Sequence, residues 1–234
     1  MNAYAFVPTA HTKGMDLVND LLARDRRGDS TALVTPSGRE RSYRELLTNA
    51  WKAANVLRHL GVHVDATVSV TSHKELHPLL GFLGAAQLGA VTTFSSPSTV
   101  DCTPRVGLIS VGEIRDARDD ASTKLTCYGG PPESPEIIHW EKELWSENPA
   151  QAPATHEPDT PVIAGNANSY SHSAVLEAGN AVKETHDVGP STVVAVRGSL
   201  ADPRIVTAGI IAPLLSGATI LYPSADPDGP GPFG

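Results

Sequence analysis

The stretch TVSVTSHKELHPLLGFLGAAQLGAVTTF, residues 67–94, decides the fold. It opens with the β-branched run TVSVT at 67–71, continues through an apolar segment that predicts a helix over 75–88, and closes with a second strand at 91–94. Gly89 follows the helical segment, and glycine is the residue that most often ends a helix. A strand, a helix and a strand in so short a segment are typical of two parallel strands joined by a crossover helix.

A second helix, upstream of this unit, carries a complete start signal. Ser42 and Glu45 stand at the spacing of a capping box, in which the serine hydroxyl accepts from the glutamate amide and the glutamate reaches back. Gly61 supplies the stop. In between, apolar residues recur in steps of four and three along one predicted face: Leu46, Ala50, Ala53, Leu57 and Leu60.

The remaining segments continue the alternation. A helix over 203–215 has Asp202 as N-cap, Pro203 at its first position and Gly217 at its end. The other predicted elements are a short opening helix at 15–24, a hairpin of strands at 32–35 and 39–42, strands at 106–110, 124–128, 161–164, 192–197 and 218–222, and helices at 140–145 and 171–186.

These elements predict one α/β domain over 1–224, with layered sheets and flanking helices. Residues 129–135 and 148–161 are rich in Pro, Glu and Ala and are expected to be exposed connections. The tail at 225–234 is rich in Pro and Gly and is expected to be irregular.

Composition excludes several classes of function. The chain has 18 basic and 26 acidic residues, a net charge of −8, and no basic cluster beyond Arg24, Arg26 and Arg27. A nucleic acid or an anionic membrane surface is therefore not expected as a partner. With no long apolar run and no basic leader, a cytoplasmic location without a membrane span is expected. Cys102 and Cys127 lack the spacing of a redox or metal site.

Two histidines raise the question of a metal. His73 and His77 stand four residues apart, as zinc ligands on a helix do. Their order is HxExH, which differs from the HExxH of metalloproteases, and no third ligand is near in sequence. We therefore favour a solvated helix start and expect no metal site. The chain also lacks a phosphate-binding P-loop, a dinucleotide fingerprint and a GxSxG nucleophile turn.

The loop Asn166-Ala167-Asn168-Ser169-Tyr170-Ser171-His172 lies between a predicted strand and a predicted helix. Backbone amides at a helix start can hold an anion, so Asn166, Asn168, Ser171 and His172 are candidate anion- or nucleotide-binding residues, the last two as side-chain donors. A plain connection, with Ser171 as a helix cap, remains the alternative. No catalytic residue is indicated.

The order of these segments resembles the start of the adenylate-forming enzymes, the acyl-CoA synthetase and AMP-dependent ligase superfamily. Leu88-Gly89-Ala90-Val91 looks like the family's KAGAV, and the segment from Pro213 to Ile220 is similar to its PLLAGATVV. The other residues that carry the resemblance are Ala32-Leu33-Val34, Ser42 to Leu46, Leu57 to Val62, Val68-Ser69-Val70, Gly81 to Leu88, Val162-Ile163 and Ser171-His172. The resemblance implies the N-terminal part of the family's large α/β domain.

The departures from the family concern its phosphate chemistry. The family carries a loop rich in Thr, Ser and Gly, ending in Pro-Lys, which wraps the phosphates of ATP. Residues 164–170 are shorter, contain one glycine and have no Lys or Arg. The family's aromatic or His position falls near Ala201-Asp202 and is unmatched. The family's adenine-binding, ribose-binding and C-terminal catalytic segments would lie beyond Gly234.

Two functional hypotheses follow from the resemblance. The first is a degenerate member, a pseudoenzyme that is not catalytic alone and acts as a binding or assembly module with no evident cofactor. The second is one half of a split carboxylate–CoA ligase, which would use ATP, AMP and CoA only together with a partner chain. We favour the first, because a lost phosphate grip is difficult to restore from another chain.

A homodimer is also expected. In full-length relatives this region packs against further parts of the large domain. Val193–Val196 and Ile205–Leu215 would face those parts and would leave an exposed apolar patch in a monomer. A symmetric dimer could bury the patch from both chains.

Overall fold

The computed structural model describes residues 15–95, 103–117, 122–153, 155–165 and 168–224. Its helices are α1 (Tyr43–His59), α2 (Leu76–Gln87), α3 (Trp140–Ser146), α4 (His172–Thr185), α5 (Pro203–Val206) and α6 (Ala212–Ser216), with a π-helical segment at Thr207–Ile211 and 3₁₀ segments at Val18–Leu22, Arg24–Arg26 and Val111–Asp116. Its strands are β1 (Thr31–Val34), β2 (Glu40–Ser42), β3 (Thr67–Val70), β4 (Val91–Phe94), β5 (Val106–Ser110), β6 (Lys124–Tyr128), β7 (Ile138–His139), β8 (Pro161–Ala164), β9 (Ser169–Ser171), β10 (Val193–Ala195) and β11 (Thr219–Leu221).

The strands form two sheets. The larger has seven strands in the order β7-β6-β5-β3-β4-β8-β9, and all its pairs are parallel except β8 with β9. The smaller has the order β10-β11-β1-β2 and is parallel except for the hairpin of β1 and β2. The predicted α/β class, with layered sheets and flanking helices, is confirmed.

Helix α2 occupies the centre of the larger layer. Because nearly all its side chains are apolar, it is buried on every side, against α1 and against β3 and β4. It approaches α1 closely at Gly84, where a Cβ atom would lie 2.9 Å from the backbone carbon of Ala53 and from the nitrogen of Ala54. Glycine is required there because the two helix backbones touch.

The predicted helix caps and stops that depend on residues close in sequence are confirmed. The Ser42 hydroxyl accepts from the Glu45 amide at 3.2 Å, and the Glu45 carboxylate accepts from the Ser42 amide at 2.8 Å. Asp202 caps α5 through the Arg204 amide at 3.0 Å, and Gly217 ends α6 in the left-handed region at φ 73°. On the predicted apolar face of α1, Leu46, Ala50, Ala53 and Leu57 are buried and Leu60 is partly buried.

Three predictions about elements are wrong in detail. The opening helix at 15–24 is two 3₁₀ segments, at Val18–Leu22 and Arg24–Arg26, and the Val18 amide donates to the side chain of distant His172. The helix at 203–215 is interrupted by the π-helical segment, just before Pro213, which has no N–H for a regular α-helical bond. Residues 169–171, expected in a loop, form β9.

The segment 148–161 also departs from expectation. Although its composition indicates an exposed connection, Ala152 and His156 are buried. The side-chain amide of Asn55, on α1, donates to the carbonyls of Asn148 at 3.2 Å and Ala150 at 2.8 Å. These bonds hold the start of the segment against the helix layer.

Within the described ranges, every helix is too short or too polar to cross a membrane. The tail at 225–234 and Cys102 lie outside the described residues, so the predicted domain boundary at 224 stays a prediction.

Candidate functional site

The candidate anion-binding loop connects two antiparallel strands. Ile163 faces Tyr170, Ala164 faces Ser169, and the Gly165 amide donates to the Asn168 carbonyl at 2.8 Å. A Cβ atom at Gly165 would lie 3.0 Å from Cγ of Pro203, so Gly165 packs closely on the start of α5. Asn166 lies outside the described residues. The chain thus closes this hairpin over a short interval that carries no cationic side chain.

The first backbone amides of α4 already donate hydrogen bonds to other oxygens of the chain. The His172 amide donates to the Thr160 carbonyl at 3.1 Å, and the Ser173 amide donates to the Pro158 carbonyl at 2.9 Å. The Ala174 amide donates to the Ser171 hydroxyl at 3.2 Å. Ser171 is therefore the N-cap of α4, and an anion at this helix start would have to displace oxygens of the chain.

The structure separates two of the candidate residues. Asn168 ends the turn, whereas Ser171 lies at the opposite end of β9, three residues and about 10 Å further along an extended strand. Asn168 is exposed, and Ser171 is half-buried. The turn and the helix start therefore do not form one continuous cradle in the described part of the chain.

His172 is fully buried beneath the helix start. Its Nδ1 accepts from the Val18 amide at 3.1 Å, so the neutral ring carries its hydrogen on Nε2. Burial, with a smaller contribution from His156, lowers the pKa of His172 to about 3. The ring is neutral at physiological pH, and it ties α4 to the first 3₁₀ segment.

The ring of His172 packs against the ring of His156, a residue that no sequence pattern indicated. The rings of His156 and His172 lie 4.6 Å apart between centroids. His156 packs on Gly89, where a Cβ atom would lie 2.8 Å from its ring, and burial lowers its pKa. A single histidine in a Pro- and Ala-rich stretch has no periodicity, and Gly89 indicated only a helix end.

His73 and His77, the two histidines considered as zinc ligands, lie next to different carboxylates. His73 Nε2 lies 3.4 Å from Glu113 and its Nδ1 lies 3.0 Å from the Tyr128 hydroxyl, while His77 Nε2 lies 3.8 Å from Glu141. Among the described residues, no group of three or more His, Cys, Asp or Glu side chains could hold a metal ion. The pair serves to join the β3–α2 connection to neighbouring elements.

Comparison with protein families matches residues 22–162, more than half of the chain, to the family described as AMP-binding enzyme. The chain belongs to the AMP-binding enzyme family. The resemblance inferred from the sequence is thereby confirmed. Comparison with curated proteins gives no match.

Solved structures share the fold of this family member. The benzoate CoA ligase from Burkholderia xenovorans LB400 superposes with a TM-score of 0.76 at 21% identity, covering 90% of this chain and 45% of that one. The anthranilate CoA ligase AuaEII, solved with anthranoyl-AMP, gives 0.75 at 18% identity, covering 89% and 45%. Apo MatB from Rhodopseudomonas palustris gives 0.73 at 16% identity, covering 91% and 46%. The chain spans a little under half the length of these structures.

Proposed function

We propose that this chain is a member of the AMP-binding enzyme family that does not adenylate a carboxylate by itself and acts as a binding or assembly module. The observation that carries the proposal is the β8–β9 hairpin. A loop that grips a triphosphate needs several free amides and positive charge close to the phosphates. Residues 164–170 contain no Lys or Arg, and the described amide of Gly165 is bonded within the turn.

The neighbouring helix start supports the same proposal. The first three amides of α4 donate to oxygens of the chain, at distances between 2.9 and 3.2 Å. Since His172 is buried and accepts at Nδ1, its ring does not reach a phosphate outside the core. Phosphate binding at the helix start would require these amides to give up their bonds within the chain. If an anion nevertheless binds there, Asn166, Asn168 and Ser171 remain the candidate contacts, and the predicted contact of the His172 side chain would require its ring to leave the core.

The experiment for this proposal is carboxylate-dependent exchange of pyrophosphate with ATP. We expect no exchange above background for the purified chain with benzoate, anthranilate, malonate, fatty acids or amino acids, because nothing on the hairpin neutralises the developing phosphate charge. The benzoate CoA ligase named above, assayed with benzoate under the same conditions, is the positive control. A panel of carboxylates guards against choosing the wrong substrate.

The alternative is one half of a split carboxylate–CoA ligase. The chain matches about 45% of each ligase structure, and under this alternative a partner chain would supply the remaining parts. In that case ATP, AMP or CoA would bind only in a complex with a partner chain. The two candidates differ in one result. Exchange that appears on adding a defined second chain, and is absent from each chain alone, would establish the split enzyme.

We propose that the chain assembles as a homodimer. The surface expected to form the interface differs in part from the one that the structure exposes. The segment 205–215 was expected to be exposed, but Val206, Ile210, Ile211 and Leu214 are fully buried against α4 and the small sheet. The π-helical segment and α6 thus belong to the chain's own core. Among the described residues of this half, the exposed large hydrophobic side chains are Tyr170 on β9, 38% exposed, and Val193 on β10, 58% exposed.

Strand β10 offers an open edge as well as an apolar side chain. The Val196 amide donates to the Leu221 carbonyl, and the Thr192 carbonyl accepts from the Thr219 amide, both at 2.9 Å. Residues 192, 194 and 196 therefore bond β11, and alternation turns the backbone groups of Val193 and Ala195 outward. Such an edge can pair with a second copy of itself.

Light scattering coupled to size exclusion should give about twice the chain mass of 24.6 kDa at micromolar concentration. Val193→Lys should shift the chain to the monomer, because a lysine on an edge strand prevents pairing of edges. Trp145→Lys is the matched control, since Trp145 is 63% exposed on α3. A native chain that is monomeric throughout, or a Trp145→Lys variant that dissociates equally, would contradict a dimer through β10.

A further inference from the structure

A short strap leads into the β8–β9 hairpin and is held down by one side chain. The strap, residues 155–160, ends where β8 begins. Among the described residues from Pro153 to Thr160, His156 is the one that is buried, and its neighbour Glu157 is exposed. The position of the strap therefore depends on whether the His156 ring stays in the core.

The His156 ring has packing partners but no hydrogen-bond partner. Its centroid lies 4.6 Å from that of the His172 ring, and a Cβ atom at Gly89 would lie 2.8 Å from it. Within the described part of the chain, neither Nδ1 nor Nε2 of His156 is hydrogen-bonded. A neutral ring can occupy this place through its contacts alone, whereas a protonated ring would bring a charge and two unpaired N–H donors into the core.

The charged groups around the ring pair give a protonated His156 little compensation. Burial lowers the pKa of His156, and the carboxylate of Glu157 on the same strap offsets this only in part. From α4, the titratable group that faces His156 is His172, which a charge would repel. Other acids on the adjoining elements are bonded elsewhere or exposed: Asp20 accepts from the amides of Asp16 and Leu17, Asp159 accepts from the Ser173 hydroxyl at 3.4 Å, and Asp65 and Glu177 are exposed. A protonated His156 is therefore more stable in solvent than in the core.

The strap also covers the start of α4. Its carbonyls at Pro158 and Thr160 accept from the backbone amides of Ser173 and His172 at 2.9 and 3.1 Å. Amides at this position are the ones through which a helix start can hold an anion. Both bonds are lost if the strap leaves the surface of α4.

We propose that the strap 155–160 is a pH-operated cover of the α4 start, held closed by neutral His156 and released when His156 is protonated. In the released state the imidazolium lies in solvent, and the His172 and Ser173 amides lose their partners on the strap. His172 stays neutral on release, because its Nδ1 still accepts from the Val18 amide. The device does not depend on whether the chain adenylates a carboxylate.

Hydrogen exchange at the His172 and Ser173 amides, corrected for the intrinsic rate at each pH, measures the release. The pKa of His156 takes the ordinary histidine value of about 6.5 in the released strap and is lower in the closed one. Closure is therefore complete above that value and is lost as the pH falls below it. The protection of both amides should fall about tenfold between pH 7.5 and pH 5.5.

Urea separates a local release from unfolding of the whole chain. At pH 5.5, 1 M urea should change the exchange of these two amides by less than about twofold, because release of a short strap exposes little surface. Amides inside α1, which exchange when the core unfolds, should respond more steeply. This measurement uses the native chain and needs no variant.

His156→Asn should reduce the pH dependence of protection to within about twofold, because asparagine takes up no proton in this range. His186→Asn makes the same change at an exposed position that follows α4, and it should keep the fall of about tenfold. Circular dichroism checks that each variant folds. Protection independent of pH in the native chain, an equal fall in the His156→Asn variant, or a urea response as steep as that of α1 would each overturn the proposal.

Discussion

Replacing Gly84 by valine should lower the free energy of unfolding by about 3 kcal/mol. The first added carbon would lie 2.9 Å from backbone atoms of Ala53 and Ala54, which cannot turn aside as a flexible side chain could. Relief requires α1 and α2 to separate, and both helices pack in the centre of the core. Urea unfolding followed by circular dichroism measures the loss.

Gly189→Val is the control for this substitution. No heavy atom lies within 4 Å of the position that a Cβ would take at Gly189, and its φ is not in the left-handed region. We expect a change within about 0.5 kcal/mol there. A Gly84→Val variant as stable as the Gly189→Val variant would show that the contact between α1 and α2 is not as tight as described.

Lowering the pH from 7 to 5 should cost the folded chain about 2 kcal/mol through His172 alone. The pKa of His172 is about 3 in the folded chain, against an unperturbed value of 6.5. Below pH 6.5, His172 therefore takes up a proton in the unfolded chain, whereas it stays neutral in the folded chain until the pH approaches 3. Stability is complete above the unfolded pKa and falls as the pH drops towards 3. Denaturant unfolding at both pH values gives the difference.

His172→Asn isolates this contribution, because an asparagine oxygen can accept a hydrogen bond but does not take up a proton in this range. The variant should lose about 2 kcal/mol less than the native chain between pH 7 and pH 5. Burial also lowers the pKa of His77 and of His156, so part of the acid sensitivity will remain. Exposed His186, changed to Asn, should leave the difference as in the native chain. Equal pH dependence of the native chain and the His172→Asn variant would contradict a buried neutral ring.

Sequence signals predicted the elements whose causes are local. The capping box of Ser42 and Glu45, the N-cap Asp202 and the stop at Gly217 each depend on residues within one turn, and each is confirmed. The strands β3 and β4 were predictable because their β-branched runs lie on either side of an apolar helical segment. Such signals fix which residues form an element, but they leave the contacts between distant elements open.

The errors arise where distant residues decide the local structure. Strand β9 has three residues, too few for any periodicity, and it exists because β8 pairs with it. The burial of His156 depends on Gly89 and His172, which are far away in sequence. The composition of 148–161 gave no sign that the Asn55 side chain would anchor that segment. The candidate anion-binding residues stay a prediction, and the separation of Asn168 from Ser171 depends on the register of β8 and β9.

Whether the chain alone activates carboxylates is decided by the exchange of labelled pyrophosphate into ATP. We expect background exchange with every carboxylate, while the benzoate CoA ligase serves as the positive control with benzoate in a parallel reaction. Carboxylate-dependent exchange by the purified chain, abolished when residues 164–170 are replaced by a glycine-serine linker, would show that the chain is catalytic by itself.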